Sequence, residues 1–253
     1  MAEGDRKVAW VTGAGSGIGR AAAVALARDG FITVVSGRRR DALEETTKLA
    51  GHGASAEVCD VTKADAVSAT VKRILDRHGR LDLLVANAGN NIKERTWKQL
   101  DAARIDHVVD GNLRGAMYCV AAVLPAMRAR KDGLIVTISS MAGRFVGALS
   151  GPAYVAAKHG VTSMSHSVNI EECVNGIRCT CICPGEVDTP ILANRPTPLP
   201  QHELDRMLKP EDVGEAVAWV ARQPKHVCIN EMLITPTWNR GYVAQLPREA
   251  RPA

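Results

Sequence analysis

Short apolar runs rich in β-branched residues punctuate the chain at Val8 to Thr12, Ile32 to Ser36, Ala56 to Cys59, Leu81 to Ala86, Leu134 to Ser139, Arg178 to Cys183 and Met232 to Thr235. Their apolarity is continuous, not alternating, which is what strands covered on both faces require. Between them lie stretches of helical character, about Gly17 to Asp29, Asp41 to Ala50, Lys63 to His78, Asp101 to Arg130, Ala153 to Val174 and Pro210 to Arg222. Strand and helix alternate. The pattern therefore predicts an α/β chain in a doubly wound Rossmann arrangement, a seven-stranded, mainly parallel sheet with helices on both faces. Sheets of this kind take ligands beyond the carboxyl ends of their strands, so chemistry is expected there.

One stretch breaks the pattern. Prolines at 184, 190, 196, 198, 200 and 210 give this segment the composition of a loop, and residues 186–209 are expected to form a substrate loop over the site. No repeat, low-complexity tract or linker interrupts the rest, so the 253 residues are read as a single domain. The segment Pro247 to Ala253 is expected to fray or to dock on a neighbouring subunit.

Composition narrows the function. Hydrophobic residues make up 46% of the chain and charged residues 23%, which suits a globular core. Aromatic residues are only 4%, so base stacking on single-stranded nucleic acid is not expected. The net charge of +5 is spread along the chain, apart from the run Arg38, Arg39 and Arg40, so no nucleic-acid partner is expected either. Met1 to Lys7 is polar and the apolar stretch that follows is too short for a signal peptide or membrane span; a cytoplasmic location without a membrane partner is the expectation. Seven cysteines without framework spacing suggest reduced thiols. Cys179, Cys181 and Cys183 alternate and would share one strand face. No His or carboxylate joins them at ligand spacing, so they are read as small apolar residues and no metal is expected.

The candidate chemistry begins after the first strand. Thr12-Gly13-Ala14-Gly15-Ser16-Gly17-Ile18-Gly19 opens the first helix, the context in which backbone N–H groups and the helix dipole face a pyrophosphate. The spacing is G-x-x-x-G-x-G, and taken alone such a cluster is also compatible with a plain turn. Folds that prefer NAD place an acid at the end of the second strand. Here that place reads Ser36-Gly37-Arg38-Arg39. Arg38, with help from Ser36 or Arg39, suits a 2′-phosphate through charge-assisted bonds, which favours NADP(H) over NAD(H). Further along, Tyr154 and Lys158 stand four residues apart in an alanine-rich helical stretch, on one face and within mutual reach. A nearby ammonium favours the phenolate and would make Tyr154 a usable acid/base.

With Asn87-Ala88-Gly89 after the fourth strand, Ser139-Ser140 ending the fifth and Pro184-Gly185 ending the sixth, the chain resembles the short-chain dehydrogenase/reductase family from about Val8 to Thr237. The resemblance implies a catalytic tetrad of Asn112, Ser140, Tyr154 and Lys158. Tyr154 would carry the proton, Ser140 would bind the substrate oxygen, Lys158 would lower the tyrosine pKa and hold the cofactor ribose, and Asn112 would position a water in the proton relay. It also implies dinucleotide contacts at Gly13, Ser16, Gly17, Ile18, Gly19, Asp60, Val61, Asn87, Ala88, Gly89, Pro184, Gly185, Val187 and Thr189. Asp60 is alternatively a helix-starting turn, and Thr189 a cap. A small-molecule carbonyl or alcohol substrate and a homotetramer, or a homodimer, follow from the same likeness.

Ala86, where many members carry a second Asn, is a departure from the family pattern. The ending Asn230 to Thr237 looks more like the branch of 3-hydroxy acid and serine dehydrogenases. Glu186 is unusual after Pro184-Gly185; it either faces water, the favoured reading, or meets a polar or cationic substrate group. Two rival functions stay open. One is an NAD-dependent alcohol dehydrogenase of the same family, the other a catalytically silent dinucleotide-binding regulator.

Overall fold

A computed structural model describes residues 6–51 and 53–250. Most of the polar stretch Met1 to Lys7, and residues 251–253 of the carboxyl-terminal segment, lie outside them. The chain runs β1 (Val8–Thr12), α1 (Gly17–Arg28), β2 (Ile32–Gly37), α2 (Arg40–Ala50), β3 (Ser55–Val58), α3 (Ala64–His78), β4 (Leu83–Ala86), α4 (Ala102–Val109), α5 (Gly115–Arg130), β5 (Gly133–Ile138), α6 (Pro152–Glu172), β6 (Ile177–Pro184), α7 (Gln201–Asp205), α8 (Pro210–Ala221), β7 (Glu231–Ile234) and α9 (Arg240–Val243). The strands form one seven-stranded sheet in the order β3-β2-β1-β4-β5-β6-β7. Every neighbouring pair is parallel. The order reverses between β1 and β4, which opens a crevice at their carboxyl ends.

Continuous apolarity in β1, β4 and β5 follows from burial on two faces. Trp10, Val34, Leu84 and Ile135 join one core with Val71 of α3, Val120 and Met127 of α5 and Val168 of α6. Val11, Val35, Val85 and Val136 join the other with Leu26 of α1, Leu43 of α2 and Val217 of α8. Cys179, Cys181 and Cys183 of β6 are fully buried free thiols.

Asp82, at the entry to β4, fixes the lower edge of the sheet. Its carboxylate accepts the Val8 backbone N–H at 2.8 Å and pairs with Arg80 at 2.8 Å and Arg130 at 2.7 Å. Burial alone would raise this carboxyl, but the bonds from Arg80, Val8 and Arg130 hold it below its ordinary value.

The helical stretch from Asp101 is not one regular helix. Asp101 caps α4 by accepting the Arg104 N–H at 2.8 Å, and a five-residue π-helical turn, Asp110–Arg114, separates α4 from α5. Such a widened turn re-aims the side chains within it, and this one carries Asn112. The proline-rich segment is also partly ordered. It contains a short 3₁₀ turn, Pro190–Asn194, the helix α7, and a parallel bridge between Val187 and Leu208. Among the described residues no helix is long and apolar enough to cross a membrane.

Candidate active site

A cleft of about 620 Å³ lies beyond the carboxyl ends of β1, β4, β5 and β6. Its floor is the glycine loop. Gly13 has a φ of +64°, and a Cβ there would sit 2.8 Å from the Ala88 Cα; a Cβ on Gly19 would sit 2.5 Å from the Asn87 Nδ2. The loop and the β4 end are thus in contact through backbone that tolerates no side chain. Asn87 holds them together by donating to the Thr12 carbonyl at 2.9 Å. Ser16 stands at the N-cap of α1 with no side-chain capping bond, and the first turn carries no acid. Free N–H groups and the positive helix end therefore face the cleft, and an anionic pyrophosphate fits this cradle.

Gly13, Ser16, Gly17, Ile18, Arg38, Arg39, Asn87, Ala88, Gly89, Pro184, Gly185, Val187 and Thr189 line the cleft. Arg38 and Arg39 are exposed at its rim, and neither pairs with a carboxylate among the described residues. Four expected dinucleotide contacts do not line it. Ser36 is fully buried and its hydroxyl accepts the Trp10 indole N–H at 2.8 Å, which corrects its expected role beside Arg38. Val61 is buried and packs toward Gly115, and Gly19 acts by permitting close packing on Asn87. Asp60 accepts the N–H and hydroxyl of Thr62 at 3.0 and 2.9 Å, the helix-starting turn that was the alternative reading.

The four expected catalytic residues meet at one end of the cleft. Ser140 follows β5 and its hydroxyl accepts the Ala142 N–H at 3.1 Å. Neighbouring Ser139 staples β5 to α6 through the Lys158 carbonyl at 2.9 Å. Lys158 is buried, donates to the Ile138 carbonyl at 2.9 Å, and lies 5.5 Å from the centre of the Tyr154 ring. Asn112 is buried; its amide N–H groups reach the carbonyls of Asn90 and Val108, both at 2.8 Å, while its Oδ1 has no partner.

Electrostatics differ from the expectation. Burial pushes the Tyr154 phenol up to about 12, against the lowering influence of its hydrogen bond with Ser140 and the charge of Arg95. Burial pushes the Lys158 ammonium down to about 8. The charge of Arg95 lowers the phenol, while the Lys158 ammonium donates to the Ile138 carbonyl. Glu186 lines the cleft half-buried, and its carboxylate is engaged by two guanidiniums. Arg195 pairs with it, and Arg240 of α9 donates to it at 2.8 Å. Burial would raise the Glu186 carboxyl, but Arg240 and then Arg195 bring it below its ordinary value. Sequence reasoning missed this cluster because Arg240 is 54 residues away from Glu186.

The short-chain dehydrogenase profile matches residues 7–199. The chain belongs to the short-chain dehydrogenase/reductase family. An uncharacterised oxidoreductase of Staphylococcus aureus is 35% identical over 233 residues, covering 91% of this chain and 97% of its own. An alcohol dehydrogenase from the archaeon Thermococcus sibiricus, complexed with 5-hydroxy-NADP, superimposes with a TM-score of 0.82 at 30% identity, over 93% of this chain and 99% of that one. A 3-ketoacyl-(acyl-carrier-protein) reductase from Brucella melitensis, complexed with NADH, superimposes with a TM-score of 0.83 at 28% identity, over 90% and 96%. This short-chain dehydrogenase/reductase is therefore an oxidoreductase with a nicotinamide dinucleotide site.

Proposed function

We propose that the protein reduces a small carbonyl compound with NADPH, with Tyr154 as the acid that protonates the nascent alcohol oxygen. NADPH, when bound in the glycine cradle, would supply the hydride for the carbonyl carbon. The observation that carries the reading is the meeting of Ser140, Tyr154, Lys158 and Asn112 beside the glycine cradle. Ser140 orients the carbonyl oxygen toward the phenol, and the Tyr154 O–H bond gives its proton to that oxygen as the carbon–oxygen double bond becomes single. The Tyr154 phenol, pushed up by burial, carries its proton at neutral pH, as an acid must before it donates. Lys158 holds the ribose, and the unpartnered Asn112 Oδ1 accepts a proton-bearing group of the relay.

Two unpaired guanidiniums at the rim, and no acid ending β2, support NADP(H) over NAD(H). Exposed apolar side chains, Met117 on α5 and Ile170 on α6 with Val174 just beyond it, support a tetramer built through these helices.

Tyr154→Phe is expected to lower kcat by at least ~100-fold while NADPH still binds, since it removes only the proton-carrying hydroxyl. Activity within a few-fold of wild type would exclude Tyr154 as the acid. Arg38→Ala is expected to weaken NADPH binding about tenfold and to leave NADH binding unchanged. Equal weakening of both, measured by fluorescence titration, would remove Arg38 as the discriminating residue.

A further inference from the structure

The cleft beyond the catalytic group carries an unbalanced charge. Three guanidiniums, those of Arg95, Arg195 and Arg240, gather around the substrate loop. Glu186 neutralises Arg195 and Arg240, and Glu203 lies 3.6 Å from Arg240. No described carboxylate pairs with Arg95. Its side chain lines the cleft, the residue is only 7% exposed, and its Nε has no acceptor. Its remaining contacts are neutral carbonyls, Leu149 at 3.3 Å and Asn194 of the substrate loop.

A buried guanidinium without a carboxylate is costly, and proteins rarely keep one without an anion to receive it. Building on the oxidoreductase reading above, we propose that Arg95 binds the carboxylate of the substrate, so that the carbonyl compound reduced here is a short oxo acid. Two donors of Arg95 already serve carbonyl groups, and the N–H groups that remain are enough for a bidentate bond to one carboxylate. Arg95 and Tyr154 line the same cleft, so a single small molecule can present its carboxylate to one and its carbonyl to the other.

The test is NADPH oxidation over a panel of 2-oxo and 3-oxo acids of four to eight carbons, each beside its methyl ester, with cyclohexanone and benzaldehyde as neutral carbonyls. Wild type is expected to favour acids over their esters about tenfold or more in kcat/KM. Arg95→Met is expected to lower kcat/KM for the acids at least about tenfold more than for their esters, with the difference carried by KM, since any effect of its charge on the Tyr154 phenol is common to both. Arg95→Lys keeps the charge and is expected to recover part of the acid preference, which a purely structural strut would not produce. Esters or neutral carbonyls used as well as the acids would overturn the proposal while the oxidoreductase reading stands. An equal loss on acids and esters in Arg95→Met, at unchanged melting temperature, would also overturn it. No turnover of any class by a protein that binds NADPH would overturn the oxidoreductase reading and this proposal together.

Discussion

Lys158 shows how one side chain can serve the site and weaken the fold. It is 4% exposed, and burial holds its ammonium down to about 8 against an ordinary 10.5. A lowered lysine pKa penalises the charged form, so the folded state is disfavoured below pH 8 and recovers as pH rises toward the unfolded value. Lys158→Met is accordingly expected to stabilise the protein at pH 7 by on the order of 2 kcal/mol while abolishing activity. The gain should shrink between pH 8 and 10.5, where wild type loses its penalty. Urea melts at pH 7 and pH 10 measure both, and a gain that grows with pH would contradict the burial argument. Tyr154 shares the environment, and its phenol moves the opposite way because its charged form is the deprotonated one.

At the scale of elements, Asp82 joins the entries of β1 and β4 to the end of α5 through Val8 and Arg130. Removing the buried carboxylate leaves two partly exposed guanidiniums and the Val8 N–H without their acceptor, so Asp82→Ala is expected to cost about 2 kcal/mol in a chemical melt. Since this carboxyl is held low, its contribution is present above the ordinary carboxylate range and is lost as pH falls through its folded value. The variant's deficit should therefore narrow in acid. A deficit that is constant with pH would assign the effect to packing.

Most elements were legible from apolarity alone. The strands from Val8, Ile32 and Gly133 lie within a residue of the runs that announce them, because two-sided burial leaves an uninterrupted signal. The π turn at Asp110–Arg114 was not legible, since Asp-Gly-Asn-Leu-Arg continues a helical pattern and the contact that Asn112 makes there is with Asn90, far back in the chain. Ser36 was misread for a similar reason. Its partner, the Trp10 indole, comes from a neighbouring strand, and the register that joins them is a property of the sheet. Tyr154 and Lys158 were legible as a pair on one helical face; that the lysine turns to Ile138 was not.

For the whole molecule, the apolar surfaces at Met117, Ile170 and Val174 bear on assembly. A tetrameric mass is expected in sedimentation at micromolar concentration, and Ile170→Asp combined with Val174→Asp is expected to reduce it to smaller species. A monomeric wild type would remove these helices as an interface. The Glu186 cluster has a consequence for handling the protein. Because Arg240 of α9 grips the same carboxylate as Arg195 of the substrate loop, an alteration of α9 is expected to disturb the mouth of the cleft. Lys7 is exposed at the opposite rim of the sheet, so a surface tether on its side chain leaves the reactive side untouched.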